Sequence, residues 1–505
     1  MKKIISALYP FLIACYPILA LRNHNILYVD LASIVRTLLV AILLTAVIWS
    51  LLHILLFHDW TRSGIAASLA MVLVFSYGHL HIQSARVFGE PIRHAYLLTA
   101  LVVFYLMIVW LATRGPSRIE TFRNFLAVMA VALVIMSLGQ SIFHEYSTYR
   151  AAQIIAAQDT KSSEGTDTPS HPDIYLIVLD AHTRADVLMD NFDYDSSFFI
   201  QELTGLGFHV ASCSQSNYAS TNLSLSSLFN MDYIPSNLSG TAKLPPFKET
   251  AVRRTLASQG YSIITFENRA SGHFDLQEDI RLSHNQLLLG ELNLMGGLNE
   301  FEKVTLHTSV TKLFLDTRLI PGFNEDGLTQ MENYEHYQQT LFTLSKLSEV
   351  PEMKSPKFVF VHILVPHSPY VFTADGSFKN PEDSGKPGYS DNARFIDQSI
   401  LEPIREILKR SEQPPIILLM GDHGPPPGKW ATREDRMSIL NAYHAAGAST
   451  TAFYDSISPV NSFRVIFNEY FGTSHPLLDD VSHFAYKLQQ LQEAPIVENN
   501  CTSAR

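Results

Sequence analysis

The sequence predicts an α-helical membrane domain of about five spans followed by a doubly wound α/β domain. Three observations carry that expectation. Apolar residues make up 47% of the 505-residue chain but crowd into its first third. Past residue 173, short apolar runs alternate with stretches of helical periodicity. Between these regions lies a polar tract rich in Ser and Thr, with Gly and Pro.

The membrane expectation rests on length. Apolar stretches at about 4–21, 33–57, 63–82, 94–113 and 124–143 each approach the roughly 20 residues that span a bilayer. Lys2 and Lys3 ahead of the first stretch, with Leu12-Ile-Ala-Cys15 inside it, also resemble a signal peptide with a lipoprotein box, but further spans follow. Lys2, Lys3, Arg62, Arg114, Arg118 and Arg123 fall on one side of the spans and Arg22, Arg36, Arg86 and Arg93 on the other, a weak bias that puts the N-terminus inside. An odd number of spans then places everything after residue 145 outside. The expected division is 1–145 anchor, 146–172 linker, 173–490 catalytic domain and 491–505 tail.

The α/β expectation rests on four runs of strand length, 173–180, 262–266, 357–364 and 415–420. Near-continuous apolar runs suit strands buried on both faces of a parallel sheet. Helical patterns at 195–205, 247–258, 333–347 and 392–410 alternate with them. A net charge of -11 argues against a nucleic-acid partner. The three cysteines, Cys15, Cys213 and Cys501, give no disulfide framework and no C-x-x-C zinc pair. Cys213 and Cys501 are read as unpaired thiols in preference to a bridge.

In an open α/β sheet, ligands bind beyond the carboxyl ends of the strands. The first run ends in Asp180, the third leads into Val365-Pro-His367, and the fourth leads into Gly421-Asp-His-Gly424. Carboxylates and imidazoles are the usual ligands of Zn²⁺ and Mn²⁺. A helix is expected to start near Thr221, because Leu223, Leu225, Leu228 and Phe229 share one side after a polar entry. A hydroxyl at a helix start meets free N–H groups and the positive dipole end. Ser220 competes with Thr221 for that place. His362, inside the third run, is read as a buried, hydrogen-bonded structural residue. His182, Arg184 and Asp186 are read as capping and loop residues, with pocket lining as the alternative.

These stretches, with Ile174–Leu188, Asn217–Asn230, Val361–Tyr370, Leu418–Gly424 and Ile457–Asn468, resemble the membrane-anchored, sulfatase-like branch of the alkaline phosphatase superfamily. Lipoteichoic-acid synthases and phosphoglycerol or phosphoethanolamine transferases belong to that branch. The resemblance implies an α/β/α sandwich holding one divalent ion, Mn or Zn. It makes Asp180, Thr221, Asp422 and His423 the ligands, Thr221 the nucleophile and His367 an acid–base or phosphoryl-binding group. Asn217, Arg184 and Arg464 are candidates for substrate binding. The formylglycine signature C/S-x-P-x-R of sulfatases is absent around Thr221. The implied reaction moves a phospholipid-headgroup phosphoryl unit to an envelope glycan or lipid through a phosphothreonine, at the outer face of a bacterial inner membrane. The rivals are an ester hydrolase that uses water and an inactive envelope assembly factor.

Overall fold

The computed structural model of the protein describes residues 2–25, 31–112, 116–159, 171–235, 244, 247–268, 274, 276–284, 298–381, 385–449, 451–499 and 501. The chain divides into two compact units, one of residues 1–164 with 285–329 and one of 165–284 with 330–505.

The first unit is helical. Its N-terminal helices cover Lys2–His24, Val35–Leu52, Trp60–Phe88, His94–Ala112 and Pro116–Asp159. Among the described residues four helices are long and apolar enough to cross a membrane: Val35–Phe57, Trp60–Phe88, His94–Leu111 and Ile119–Phe143. The count is thus four where five were expected, so an odd span number no longer carries the outer-face placement of the residues after 145. The first stretch is helical, but its side chains are described only from Leu8, which leaves less than a span. Leu43, Leu55, Val103 and Phe143 are among the large apolar side chains left exposed, as helices facing lipid require. The last helix runs to Asp159, past the expected break at 145. Residues 160–170 of the expected linker, together with Arg114 and 502–505, lie outside the described residues.

Residues 298–329 join this unit, which the hydropathy pattern did not announce. Phe301 is buried with Ala14, Ile18, Leu19, Ile34, Ala41 and Met71. Asn299 caps the helix Glu300–Thr308 in a reciprocal capping box with Glu302. Arg36 grips the Glu302 carboxylate through two nitrogens.

The second unit is built on a seven-stranded sheet in the order β2-β7-β6-β1-β5-β3-β4. The strands are β1 Ile174–Leu179, β2 His209–Val210, β3 Ser262–Phe266, β4 Ile280–Leu282, β5 Lys357–Ile363, β6 Ile416–Gly421 and β7 Asn441–Ala445. The four expected strands are the central neighbours β6-β1-β5-β3, and all pair in parallel. The sheet as a whole is mixed rather than parallel, because β7 and β2 add an antiparallel edge. Both are short and carry polar residues, so they lack the apolar run that marks a buried central strand. Alternate β1 residues face opposite ways. Ile174, Leu176 and Val178 pack with Leu225, Leu228, Phe229 and Phe463, whereas Tyr175, Ile177 and Leu179 pack with Ile396, Ile400 and Ile404. The sheet is therefore covered on both faces, a sandwich with helices Thr221–Asn230 and Pro459–Phe471 on one side and Lys386–Arg410 on the other.

Cys213 and Cys501 form a disulfide across 288 residues, with Cα atoms 5.5 Å apart, correcting the expectation of free thiols. Cys spacing along the sequence could not show this. The approach of the chain end is made by the fold, where Asn499 Nδ2 also donates to the Cys213 carbonyl at 2.7 Å.

Candidate functional site

Parallel pairing in register brings three strand ends together. Leu179 sits opposite Gly421 on one side and Ile363 on the other. Asp180 and Asp422 follow immediately, so their side chains leave the sheet side by side. The glycines of Gly421-Asp-His-Gly424 are forced by backbone contact. A Cβ on Gly421 would lie 2.1 Å from the His182 carbonyl oxygen, and one on Gly424 would lie 2.2 Å from that of Asp435. Ala181 has φ 64, a left-handed conformation rare outside glycine. It is held there from both sides: its N–H donates to Asp422 Oδ1 at 3.0 Å and its carbonyl accepts the Tyr389 hydroxyl at 2.7 Å.

The donors of this cluster are aimed. Asp422 Oδ1 also accepts the His423 N–H at 3.0 Å, while Oδ2 is buried with no hydrogen-bond partner. Asp180 Oδ1 is buried and unpartnered as well. His423 Nδ1 lies 3.1 Å from the Gly424 carbonyl. A carbonyl only accepts, so Nδ1 carries the proton and Nε2 presents a lone pair. That lone pair is 3.2 Å from Asp422 Oδ2 and 3.8 Å from Asp180 Oδ1. Thr221 is the first residue of its helix, and its Oγ1 is 3.2 Å from the same Nε2. The first backbone bond of that helix runs from Ser224 N to Ser220 O at 2.9 Å, which leaves the N–H groups before it free at the dipole's positive end. Ser220 is the N-cap, yet its side chain caps nothing and its Oγ has no partner.

His362 departs from its expected role. It is buried, but neither ring nitrogen has a hydrogen-bond partner. Its Nε2 lies 3.2 Å from Asp180 Oδ2, and His362, Asp180 and Asp422 each offer an atom within 4.8 Å of the others. An apolar strand context hides such a residue from sequence reading. The available signal was a histidine in the last turn of a strand that leads into His367. Arg436 was missed too: from inside the core it donates to the Ala219 carbonyl at 2.9 Å and the Gly424 carbonyl at 2.8 Å. It thereby ties the Thr221 loop to the Asp422–His423 loop.

Electrostatics match a cation site. Burial pushes the Asp180 carboxyl up, but the close His362 contact and the fields of His367, His362 and His423 outweigh it and hold the group below the usual carboxylate range. Burial lowers His423 below the ordinary imidazole value, against the opposing pull of Asp422, which favours the neutral ring that a metal ligand must be. Unpaired buried carboxylate oxygens beside a neutral imidazole would be costly by themselves. The donor types gathered here, with Asp180, His362 and Asp422 offering atoms within 4.8 Å of one another, fit a divalent metal ion.

The other candidates fall elsewhere. His367 is exposed at the mouth, its ring 6.4 Å from that of His423 and its N–H donating to the Asp180 carbonyl at 3.0 Å. Asn217 is wholly buried and spent on structure: Nδ2 donates to Ser458, Val481 and Tyr233, and Oδ1 accepts from Val460 N. Arg184 pairs with Asp186 and the Ser214 carbonyl. Arg464 donates to the carbonyls of Met231 and Pro476. Met231 is the C-cap of the Thr221 helix, the end opposite the nucleophile candidate, so Arg464 is not at the site, and among the described residues it makes no ion pair. His182 is not a loop residue in solvent: it is buried, with Nε2 2.7 Å from Asp397 Oδ1.

No family model matches the chain, and no curated protein does. Solved structures do resemble it. The C-terminal periplasmic domain of EcEptC from Escherichia coli has 12% identity over 66% of this chain and 94% of its own, with a TM-score of 0.43. The lipoteichoic acid synthase LtaP from Listeria monocytogenes has 14% identity over 64% of this chain and 78% of its own, at 0.38. The integral membrane lipooligosaccharide phosphoethanolamine transferase A of Neisseria meningitidis has 14% identity over 93% of this chain and 95% of its own, at 0.37.

Proposed function

We propose that the chain is a multi-pass protein of a bacterial inner membrane. Its extracytoplasmic unit transfers a phosphoryl-linked headgroup from a phospholipid to an envelope glycan or lipid. The observation that carries this reading is the Thr221 hydroxyl, placed at a helix start within reach of buried, unpaired ligand atoms. The Cys213–Cys501 bridge supports an oxidising compartment for this unit, and the four apolar helices support a membrane donor held close by.

Asp180, Asp422, His423 and Thr221 would hold the ion, Zn or Mn by donor type. When bound it supplies a lower hydroxyl pKa and charge neutralisation at the phosphoryl group. The protein does the rest. The free N–H groups at the start of the Thr221 helix face the non-bridging phosphoryl oxygens. Thr221 Oγ1 forms the new bond to phosphorus as the bond from phosphorus to the diacylglycerol oxygen breaks. The proton lost from Thr221 reaches the departing oxygen, with His367 at the mouth as its carrier. In the second half an acceptor hydroxyl attacks the same phosphorus. The Thr221–phosphorus bond breaks and Oγ1 regains a proton. Two half-reactions through one intermediate give ping-pong kinetics.

The test is a trapping experiment with phospholipid labelled in the headgroup phosphate. Mass spectrometry should find the label on the peptide containing Thr221, with diacylglycerol released in equal amount. Label on Ser220, or full transfer by Thr221→Ala, rejects the mechanism. A C-terminal reporter active only in the cytoplasm rejects the location.

A further inference from the structure

The first unit contains a second group of ligand-type side chains that the proposed reaction does not use. We propose that His81, His94 and Asp316 form a divalent-metal site of zinc type, which fastens residues 299–317 to the membrane helices. One ring nitrogen from each histidine and one Asp316 oxygen lie within 4.8 Å of one another. The three come from separate segments: the helix Trp60–Phe88, the first residue of the helix His94–Ala112, and the helix Thr311–Thr317.

What distinguishes this group from a chance cluster is that His94 and Asp316 are each oriented by a partner on the other side. His94 Nδ1 is 2.9 Å from the Tyr77 hydroxyl, while Nε2 is 3.0 Å from Asp316 Oδ2. Asp316 Oδ1 accepts from Lys312 Nζ at 2.9 Å. The His81 ring stacks on His94 with centroids 4.1 Å apart, and it turns about its Cβ–Cγ bond to present a nitrogen to the ion. Outer partners of this kind fix the tautomer and direction of metal ligands. On binding, the ion replaces the hydrogen bond between His94 Nε2 and Asp316 Oδ2, and the neutral ring keeps its one proton on Nδ1, donated to the Tyr77 oxygen.

The backbone around the group is fixed closely. Gly78 lets the 299–317 segment touch down, since a Cβ there would lie 2.3 Å from the His307 carbonyl oxygen. Val310 N donates to the Val74 carbonyl at 2.7 Å. Ser84 Oγ accepts the Ile92 N–H at 3.0 Å, which holds the turn leading to His94. The side chains of His94 and Asp316 remain 16% and 23% exposed, so one face is open for an entering ion and a water ligand. Two imidazoles with one carboxylate suit Zn²⁺, whereas Mg²⁺ and Ca²⁺ prefer oxygen alone.

The test uses the full-length protein in detergent, in a background carrying Asp422→Ala and His423→Ala so that the candidate active site contributes no ion. After dialysis against buffered zinc, elemental analysis should find about one equivalent in that background. Asp316→Asn and His94→Gln retain hydrogen-bonding groups, and each should lose it. Tyr77→Phe should weaken zinc about 10–100-fold without abolishing binding. Zinc should also raise the melting temperature of the background protein and not that of the Asp316→Asn variant. No zinc and no thermal shift in the background, or equal zinc in the Asp316→Asn and His94→Gln variants, overturns the site. Comparison with the otherwise unchanged protein tests the other site separately. Zinc content that does not fall on making Asp422→Ala with His423→Ala sinks the active-site reading and leaves this one standing.

Discussion

Asp422 and Asn217 are both fully buried polar residues near the Thr221 helix, and they are opposites. Asp422 spends one oxygen on two backbone N–H groups and leaves the other with nothing. Asn217 spends its whole amide on the fold, in bonds to Ser458, Val481, Tyr233 and Val460. Buried polar groups are nearly always paired. An unpaired one held in place by its neighbours is therefore waiting for a partner the chain does not supply, and a saturated one is architecture. The same division separates Asp180 from Arg464.

The largest effect that could break this division is at Thr221. Thr221→Ala removes the proposed nucleophile and should cut transfer by about three orders of magnitude or more in a labelled-lipid assay. Thr221→Ser keeps the hydroxyl and should keep partial activity, because a less restricted side chain positions it less well. Transfer surviving intact in Thr221→Ala would show that the converging donors serve something else.

Next in size is the metal. Asp422→Ala deletes the aimed oxygen, and His423→Ala deletes the lone pair. Each should lower bound divalent metal at the second unit and abolish transfer. Asp422→Ala also strands the buried Ala181 and His423 N–H groups, so it should cost stability as well, and metal is measured per folded molecule. Unchanged metal content and activity in both would contradict the donor-set reading.

The strand-end acids were legible because a parallel sheet announces itself twice. Four apolar runs marked its centre, and polarity at their carboxyl ends marked the residues that converge there. Thr221 was legible because a 3.6-residue apolar stripe starts there. What stayed hidden depends on chain crossings. His362 looks like any polar residue in a strand until β1 is laid against β5 and Asp180 arrives 3.2 Å away. Arg436 has no motif, and its role exists only because Ala219 and Gly424 meet around it. Arg464 shows the reverse failure: a matching stretch placed it in the candidate list, but its position in the helix Pro459–Phe471 points it at the wrong end of the Thr221 helix. Residues 299–317 are the third kind of miss. They follow soluble-looking sequence and yet pack with the membrane helices, because Phe301 and the Arg36–Glu302 pair supply contacts that hydropathy windows do not register.

A smaller effect, and of opposite character, is expected at Asn217. Asn217→Ala strands the Val460 N–H and the Val481 carbonyl in a dry interior, so it should cost about 2–4 kcal/mol of stability. In a thermal melt the transition should fall by several degrees. Metal bound per folded molecule should stay unchanged. Loss of metal without loss of stability would move Asn217 to the functional side of the comparison.

Ser220 gives the smallest effect and the finest test. By sequence it is an N-cap serine, and removing a working cap costs roughly 1 kcal/mol. Its side chain makes no cap bond, however, and its buried Oγ has no partner. Ser220→Ala removes an unsatisfied group, so the stability change should fall below that cap value and could favour the variant. Transfer should remain near the parent rate, because the hydroxyl facing His423 is that of Thr221. Ser220 is also an unpaired buried polar atom, so it probes whether lack of a partner alone marks function. What it lacks is convergence. Asp180, Asp422 and His423 present their free atoms to a common point, and no contact joins Ser220 Oγ to them. A large loss of transfer in Ser220→Ala, with metal content intact, would show that the criterion of convergence is wrong and that the nucleophile is one residue earlier.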